Sequence, residues 1–117
     1  MWPFARNTEM TINRIDDRFS VTGQIRPDQV ARLAALGYTT IVCARPDHEE
    51  AGQPTFAEVA QEAQRHGIKA VHVPVSGMPS PEQQGRFRSA MAGCDGPALG
   101  YCRSGARAAN LYAMLGR

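Results

Sequence analysis

The chain has 117 residues, of which 43% are hydrophobic and 21% charged, so it has the composition of one ordinary globular domain rather than of a disordered or fibrous protein. Its formal net charge of +2 comes from basic residues that are spread along the whole chain. A nucleic-acid-binding stripe is therefore not expected.

Strands and helices alternate along the sequence after a flexible N-terminal arm at residues 1–9, and residues 10–117 are predicted to form one domain. The predicted elements in chain order are a hairpin of strands at 11–15 and 19–22, a helix at 27–37, a strand at 39–44, a helix at 55–66, a strand at 70–75, a helix at 80–93, a strand at 97–102 and a helix at 106–115. Leu36 is placed on the inner face of the first helix. This alternation predicts an α/β fold, with a mainly parallel sheet of about five strands between helices on both faces.

Ligands in such sheets bind at the carboxyl ends of the strands, which here marks the loops at 44–53, 76–80 and 102–107. The third loop runs from Cys102 to Arg107, between a buried strand and the start of a helix. Backbone N–H groups and the helix dipole at such a junction can bind an anion, and they favour the thiolate form of Cys102. Gly105 would permit the left-handed backbone that curls the loop.

These features predict a cysteine nucleophile in an anion-binding loop. Cys102 is the predicted nucleophile, Arg107 has the planar donor fork that suits an oxyanion, and Ser104 can hydrogen-bond the thiolate or a leaving group. The predicted substrate-binding residues are Arg103, Gly105, Ala106, Asp47 and Arg45. No metal site and no cofactor are predicted. The alternative for Cys102 is a buried structural cysteine.

The other two cysteines, Cys43 and Cys94, are predicted to be structural, although Cys43 could serve as a resolving thiol. An odd number of cysteines without CxxC spacing argues against a disulfide framework and against a zinc site. No window has the length and apolar character of a membrane span. We therefore expect a protein of the reducing cytoplasm that binds neither membranes nor nucleic acids.

Four segments resemble the phosphatase-like domain of the bacterial beta-lactamase hydrolase-like proteins. They are residues 19–24, 41–49, 72–75 and 102–107, and the resemblance covers about residues 10–115. It implies a tyrosine-phosphatase-like three-layer fold with Cys102 as the active-site residue. Some members of this family are fused to a metallo-beta-lactamase-like domain linked to sulfide oxidation. The resemblance thus implies a separate persulfide dioxygenase of that fold as a partner.

The number of residues between Cys102 and Arg107 distinguishes a phosphatase from a sulfurtransferase. Tyrosine phosphatases carry Cys-x5-Arg, usually preceded by histidine, whereas four residues separate Cys102 from Arg107 here and Tyr101 precedes the cysteine. The shorter loop resembles that of the rhodanese sulfurtransferases. The loop at 76–80 also has no carboxylate to protonate a leaving group, so Asp47 or Glu49 would have to act as the general acid of a phosphatase.

The sequence therefore favours a sulfurtransferase. Cys102 would carry sulfane sulfur as a persulfide from thiosulfate or a low-molecular-weight persulfide to a thiol acceptor. Two alternatives stay open: a cysteine-dependent phosphatase, and a non-catalytic persulfide carrier or sensor.

Overall fold

The structure, a computed structural model, describes residues 10–116, and the predicted arm at 1–9 lies outside the described residues. Its elements in chain order are β1 (Asn13–Arg14), β2 (Phe19–Thr22), a 3-10 turn (Pro27–Gln29), α1 (Val30–Ala35), β3 (Thr40–Cys43), α2 (Phe56–Arg65), β4 (Lys69–His72), α3 (Pro81–Ala92), β5 (Ala98–Tyr101) and α4 (Ala106–Ala113). The sheet has the order β1-β2-β5-β3-β4. β1 pairs antiparallel with β2, and the other three pairings are parallel. The predicted α/β fold with a mainly parallel five-stranded sheet is confirmed.

The sheet separates two hydrophobic cores, as expected for a sheet with helices on both faces. One core packs α3 and α4 against the sheet and contains Phe19, Val42, Phe87, Cys102 and Leu111, among others. The second packs α1 and α2 against the opposite face and contains Ile25, Leu33, Ile41, Cys43, Val59 and Tyr101, among others. Because Cys43 and Cys102 belong to different cores, they lie on opposite faces of the sheet, an arrangement that does not favour Cys43 as a resolving thiol.

Two predicted elements end earlier in the structure. The first helix stops at Ala35, and Leu36 is 51% exposed instead of facing the core. Gly37 adopts a φ of 98°, which turns the chain away from the helix before Leu36 can be covered. The strand predicted at 70–75 ends at His72, although the N–H groups of Val73 and Val75 still donate to the carbonyl oxygens of Cys43 and Ala44.

A close contact at Gly100 determines how near α4 lies to the sheet. A Cβ atom at this position would lie 2.6 Å from Cζ of Phe19 and 2.9 Å from Cβ of Ala108. The absence of a side chain therefore lets α4 pack directly on β5, which sets the position of the loop that joins them. Within residues 10–116, no helix has the length and apolar character needed to cross a membrane.

Candidate active site

The loop between β5 and α4 curls around the sulfur atom of Cys102. Gly105, the residue before α4, has a left-handed backbone with φ 96° and ψ −14°. This turn directs its N–H group back to Cys102, and the Gly105 nitrogen lies 3.1 Å from Cys102 Sγ. The first N–H groups of an α-helix have no partner within the helix, so the loop and the start of α4 together have the donors that an anion would need.

The end of β2 supports this loop from behind. A Cβ atom on Gly23 would lie 2.9 Å from the carbonyl oxygen of Arg103, and one on Gly105 would lie 3.2 Å from that of Thr22. Cys102 is fully buried at the base of the loop, whereas Arg103 and Ser104 are exposed at its rim. Two glycines thus allow the backbone of β2 and the backbone of the loop to touch.

Glu49 fixes the guanidinium of Arg107. Nη1 donates to Glu49 Oε2 at 2.7 Å and Nη2 donates to Glu49 Oε1 at 2.9 Å. A third bond runs from Nη1 to the carbonyl oxygen of Val75 at 2.8 Å. Since a guanidinium has five N–H donors, these three bonds leave the Nε–H and one Nη2–H group of Arg107 for Cys102 or for an anion. The nearby thiol of Cys102 adds to the raised pKa of Arg107, although Glu49 is its main cause.

A second arginine holds Glu49 from the other side. Arg45 donates from Nε to Glu49 Oε1 at 2.9 Å, from Nη1 to Gln24 Oε1 at 3.0 Å and from Nη2 to Glu50 Oε1 at 3.0 Å. Its side chain is 2% exposed. Arg107 first, and Arg45 second, lower the pKa of the Glu49 carboxyl to about 2. The two arginines therefore favour the ionised form of Glu49, an environment that does not favour a general acid.

A residue with a left-handed backbone lies between Asp47 and Glu49 in the loop at 44–53. His48 has a φ of 66°, an uncommon conformation for a residue with a side chain. On one side of it, Asp47 Oδ1 accepts a hydrogen bond from the N–H group of Phe56, the first residue of α2, at 2.8 Å. On the other side, Glu49 reaches Arg107. The turn at His48 thus directs one carboxylate to a helix start and the other to the catalytic loop.

The structure brings most of the predicted site residues together at the carboxyl edge of the sheet. Ser104 Oγ accepts a hydrogen bond from the N–H group of Ala106 at 3.3 Å, and no ion pair of Arg103 is found within residues 10–116. The burial of Arg45 and its three protein acceptors favour a positioning role over direct contact with substrate. Sequence reasoning did not identify Glu49 as the partner of Arg107. One signal was available in the sequence: Arg45 and Arg107 lie in neighbouring loops, and two such arginines need a carboxylate between them.

Comparison with known proteins agrees with this arrangement. The family model of the phosphatase-like domain of beta-lactamase hydrolase-like protein matches residues 11–116. A beta-lactamase hydrolase-like protein from Agrobacterium fabrum is 36% identical over 102 residues, which make up 86% of this chain and 24% of that protein. The chain thus spans about a quarter of the length of this curated relative.

Solved structures show the same fold. A candidate phosphatase from Neisseria meningitidis superposes with a TM-score of 0.81 at 31% identity, covering 92% of this chain and 77% of the other. The active form of Tk-PTP superposes with a TM-score of 0.61 at 20% identity, covering 90% and 65%, and shows a shared fold alone. Since the family model extends over nearly the whole described domain, the chain belongs to the phosphatase-like domains of the beta-lactamase hydrolase-like protein family and has the tyrosine-phosphatase-like fold.

Proposed function

We propose that this domain is a cysteine-dependent phosphatase that hydrolyses phosphate monoesters in the cytoplasm. The observation that carries the proposal is the loop in which Cys102 Sγ accepts the Gly105 N–H group beside an Arg107 fixed by Glu49. The matched family is described as phosphatase-like, and the Neisseria structure as a candidate phosphatase. These comparisons favour the phosphatase alternative over the sulfurtransferase that the loop spacing favoured, for which they give no support.

The geometry fits two successive displacements at phosphorus. The Cys102 thiolate attacks the phosphorus atom, the S–P bond forms, and the P–O bond breaks with its electron pair on the departing oxygen. Backbone N–H groups of the loop and the two remaining donors of Arg107 stabilise the charge on the equatorial oxygens. Water then attacks the phosphocysteine, the S–P bond breaks, and phosphate and the thiolate are released.

Sulfur transfer is the second candidate, because only four residues separate Cys102 from Arg107. The same loop would bind thiosulfate through its oxygen atoms, and the thiolate would take the sulfane sulfur while sulfite leaves. In that case the persulfide would pass to a thiol, and a separate persulfide dioxygenase would be the partner. A persulfide that forms but does not turn over would instead indicate a carrier or sensor.

A paired assay of the reduced protein and its Cys102→Ser variant tests the proposal. One arm measures phosphate release from an aryl phosphate, and the other measures thiocyanate formation from thiosulfate and cyanide. We expect multiple turnovers of phosphate release that the Cys102→Ser variant loses, with thiocyanate formation at background. Thiocyanate formation that depends on Cys102, without phosphate release, would reject the phosphatase and establish the second candidate.

A further inference from the structure

Within residues 10–116, the loop at 44–53 carries most of the acidic side chains at the edge of the sheet where Cys102 lies. The loops at 23–26, 76–80 and 102–105 contain no aspartate or glutamate. The loop at 44–53 contains three, namely Asp47, Glu49 and Glu50. Asp28, in the 3-10 turn that follows the loop at 23–26, pairs with Arg26 at 3.1 Å. Within residues 10–116, the candidates for protonating a leaving group at this edge are therefore the three carboxylates of the loop at 44–53.

Each of the three carboxylates has a structural partner. Glu49 accepts hydrogen bonds from Arg45 and from Arg107, which keep it ionised. Glu50 accepts one from the buried Arg45 at 3.0 Å. Asp47 accepts the N–H group of Phe56 at 2.8 Å and so lies at the start of α2. Their hydrogen-bond partners thus direct the carboxylates to arginines and a helix start.

We infer that this enzyme expels its leaving group without protonating it. The inference rests on the proposed phosphatase function and specifies its substrate class. When the P–O bond breaks, the departing oxygen keeps the full electron pair and leaves as an anion. Substrates must then be phosphates of weakly basic oxygens, such as acidic phenols or carboxylic acids. Alkyl phosphates would be poor substrates, because general acid catalysis is worth about 10²–10⁴-fold and basic leaving groups need it most.

The same arrangement affects the second step. A group that protonates the leaving oxygen in the first step would take a proton from the attacking water in the second, since the two steps are near mirror images. Without that group, water attacks the phosphocysteine slowly. We therefore expect a burst of phenol release about equal to the enzyme concentration, followed by a slower steady state.

A series of aryl phosphates with leaving phenols of increasing pKa tests this inference. The quantity to measure is kcat/KM, which reports the steps up to the first release and is unaffected by slow hydrolysis of the phosphocysteine. We expect kcat/KM to fall by roughly tenfold per unit of phenol pKa, because the charge on the departing oxygen is not neutralised. The slope of log kcat/KM against the pKa of the leaving phenol should stay the same in the Asp47→Asn and His48→Ala variants, even if the values of kcat/KM shift.

Three other outcomes would contradict the inference, and they can be told apart. A nearly constant kcat/KM across the series would show that a proton donor is present, while leaving the phosphatase function intact. A shallow slope in the wild type that becomes steep in one variant would identify Asp47 or His48 as that donor. No phosphate release even from the most acidic phenol would overturn both the inference and the proposed function.

Discussion

Glu49 links two arginines beside the loop that carries Cys102. It lies between Arg107, which contacts it through two nitrogen atoms, and Arg45, which is almost fully buried. A buried guanidinium needs an ionised partner, and Glu49 together with Glu50 provides it for Arg45. The carboxylate therefore neutralises one arginine and orients the other, so that its loss should affect both stability and catalysis.

We predict that Glu49→Gln lowers the free energy of unfolding at pH 7 by about 1–3 kcal/mol. The pKa of Glu49 is lowered from 4.5 to about 2, so its stabilising effect is fully present above pH 4.5 and is lost as the pH falls towards 2. The difference between the wild type and the variant should therefore shrink between pH 5 and about 2. Denaturant unfolding at neutral and at acidic pH measures both values.

Glu62→Gln is a matched control for this experiment. Glu62 forms an ion pair with Arg65 on the surface of α2, and its side chain is 28% exposed, close to the 27% of Glu49. Because exposed ion pairs contribute about 0–1 kcal/mol, this variant should differ little from the wild type at either pH. An equal effect of the two substitutions would show that the two arginines do not hold Glu49 as the structure indicates.

The packing of α4 on β5 sets the position of the loop that joins these two elements and carries Cys102. The surrounding atoms leave no room for a side chain at Gly100. We predict that Gly100→Ala lowers the free energy of unfolding by about 1–3 kcal/mol, because the new methyl group would force Phe19 and Ala108 apart. It should also lower kcat, since any shift of α4 moves Arg107. Denaturant unfolding and an assay of the same preparation measure the two effects.

Gly85→Ala is the control for Gly100→Ala, because it makes the same substitution at a site with more space. Gly85 lies inside α3, and nothing lies within 4 Å of the position that its Cβ atom would occupy. Alanine should therefore stabilise the protein by about 0.5–1 kcal/mol through its higher helix propensity. If both variants lost stability to the same extent, the close contact at Gly100 would not be the cause.

The order of the elements could be predicted from the sequence because the signals are local. The capping boxes that begin at Thr55 and Ser80 are seen in the structure with both of their reciprocal hydrogen bonds. The end of α1 was harder to predict, because Leu36 continues the apolar pattern, whereas the helix ends at Ala35, two residues before the predicted end at Gly37. Hydrophobic periodicity indicates which residues prefer burial, but a helix end depends on the backbone.

At the scale of the whole molecule, sequence distance explains why one half of the site was predicted and the other was not. Cys102, Gly105 and Arg107 lie within six consecutive residues, so their spacing alone indicated an anion-binding loop. Arg107 and Glu49 are 58 positions apart and meet only because β3 lies next to β5 in the sheet. The general rule that parallel strands end at a common edge predicted that the loops of Glu49 and Arg107 lie close together. It could not predict which charged side chains in these loops pair with each other.

A hydrogen bond joins residues near the two ends of the described chain. The hydroxyl of Tyr112, in α4, donates to Asp16 Oδ2 at 2.6 Å across 96 positions of sequence. Asp16 Oδ1 also accepts the N–H groups of Arg18 and Phe19, which fixes the turn between β1 and β2. The Tyr112 ring stacks on Phe19 with 4.5 Å between ring centroids. This contact thus connects the last helix to the first hairpin.

We predict that Tyr112→Phe lowers the free energy of unfolding by about 1–2 kcal/mol while leaving kcat/KM unchanged, because the ring still stacks on Phe19 and the hydrogen bond to Asp16 is lost. Tyr38→Phe is the control, since no hydrogen bond of the Tyr38 hydroxyl is found within residues 10–116. Its effect should stay within about 0.5 kcal/mol. Denaturant unfolding of the three proteins measures the difference, and equal stabilities of wild type and Tyr112→Phe would show that the helix is held by ring packing alone. A loss of activity in Tyr112→Phe would instead show that the position of α4, and with it that of Arg107, depends on the bond to Asp16.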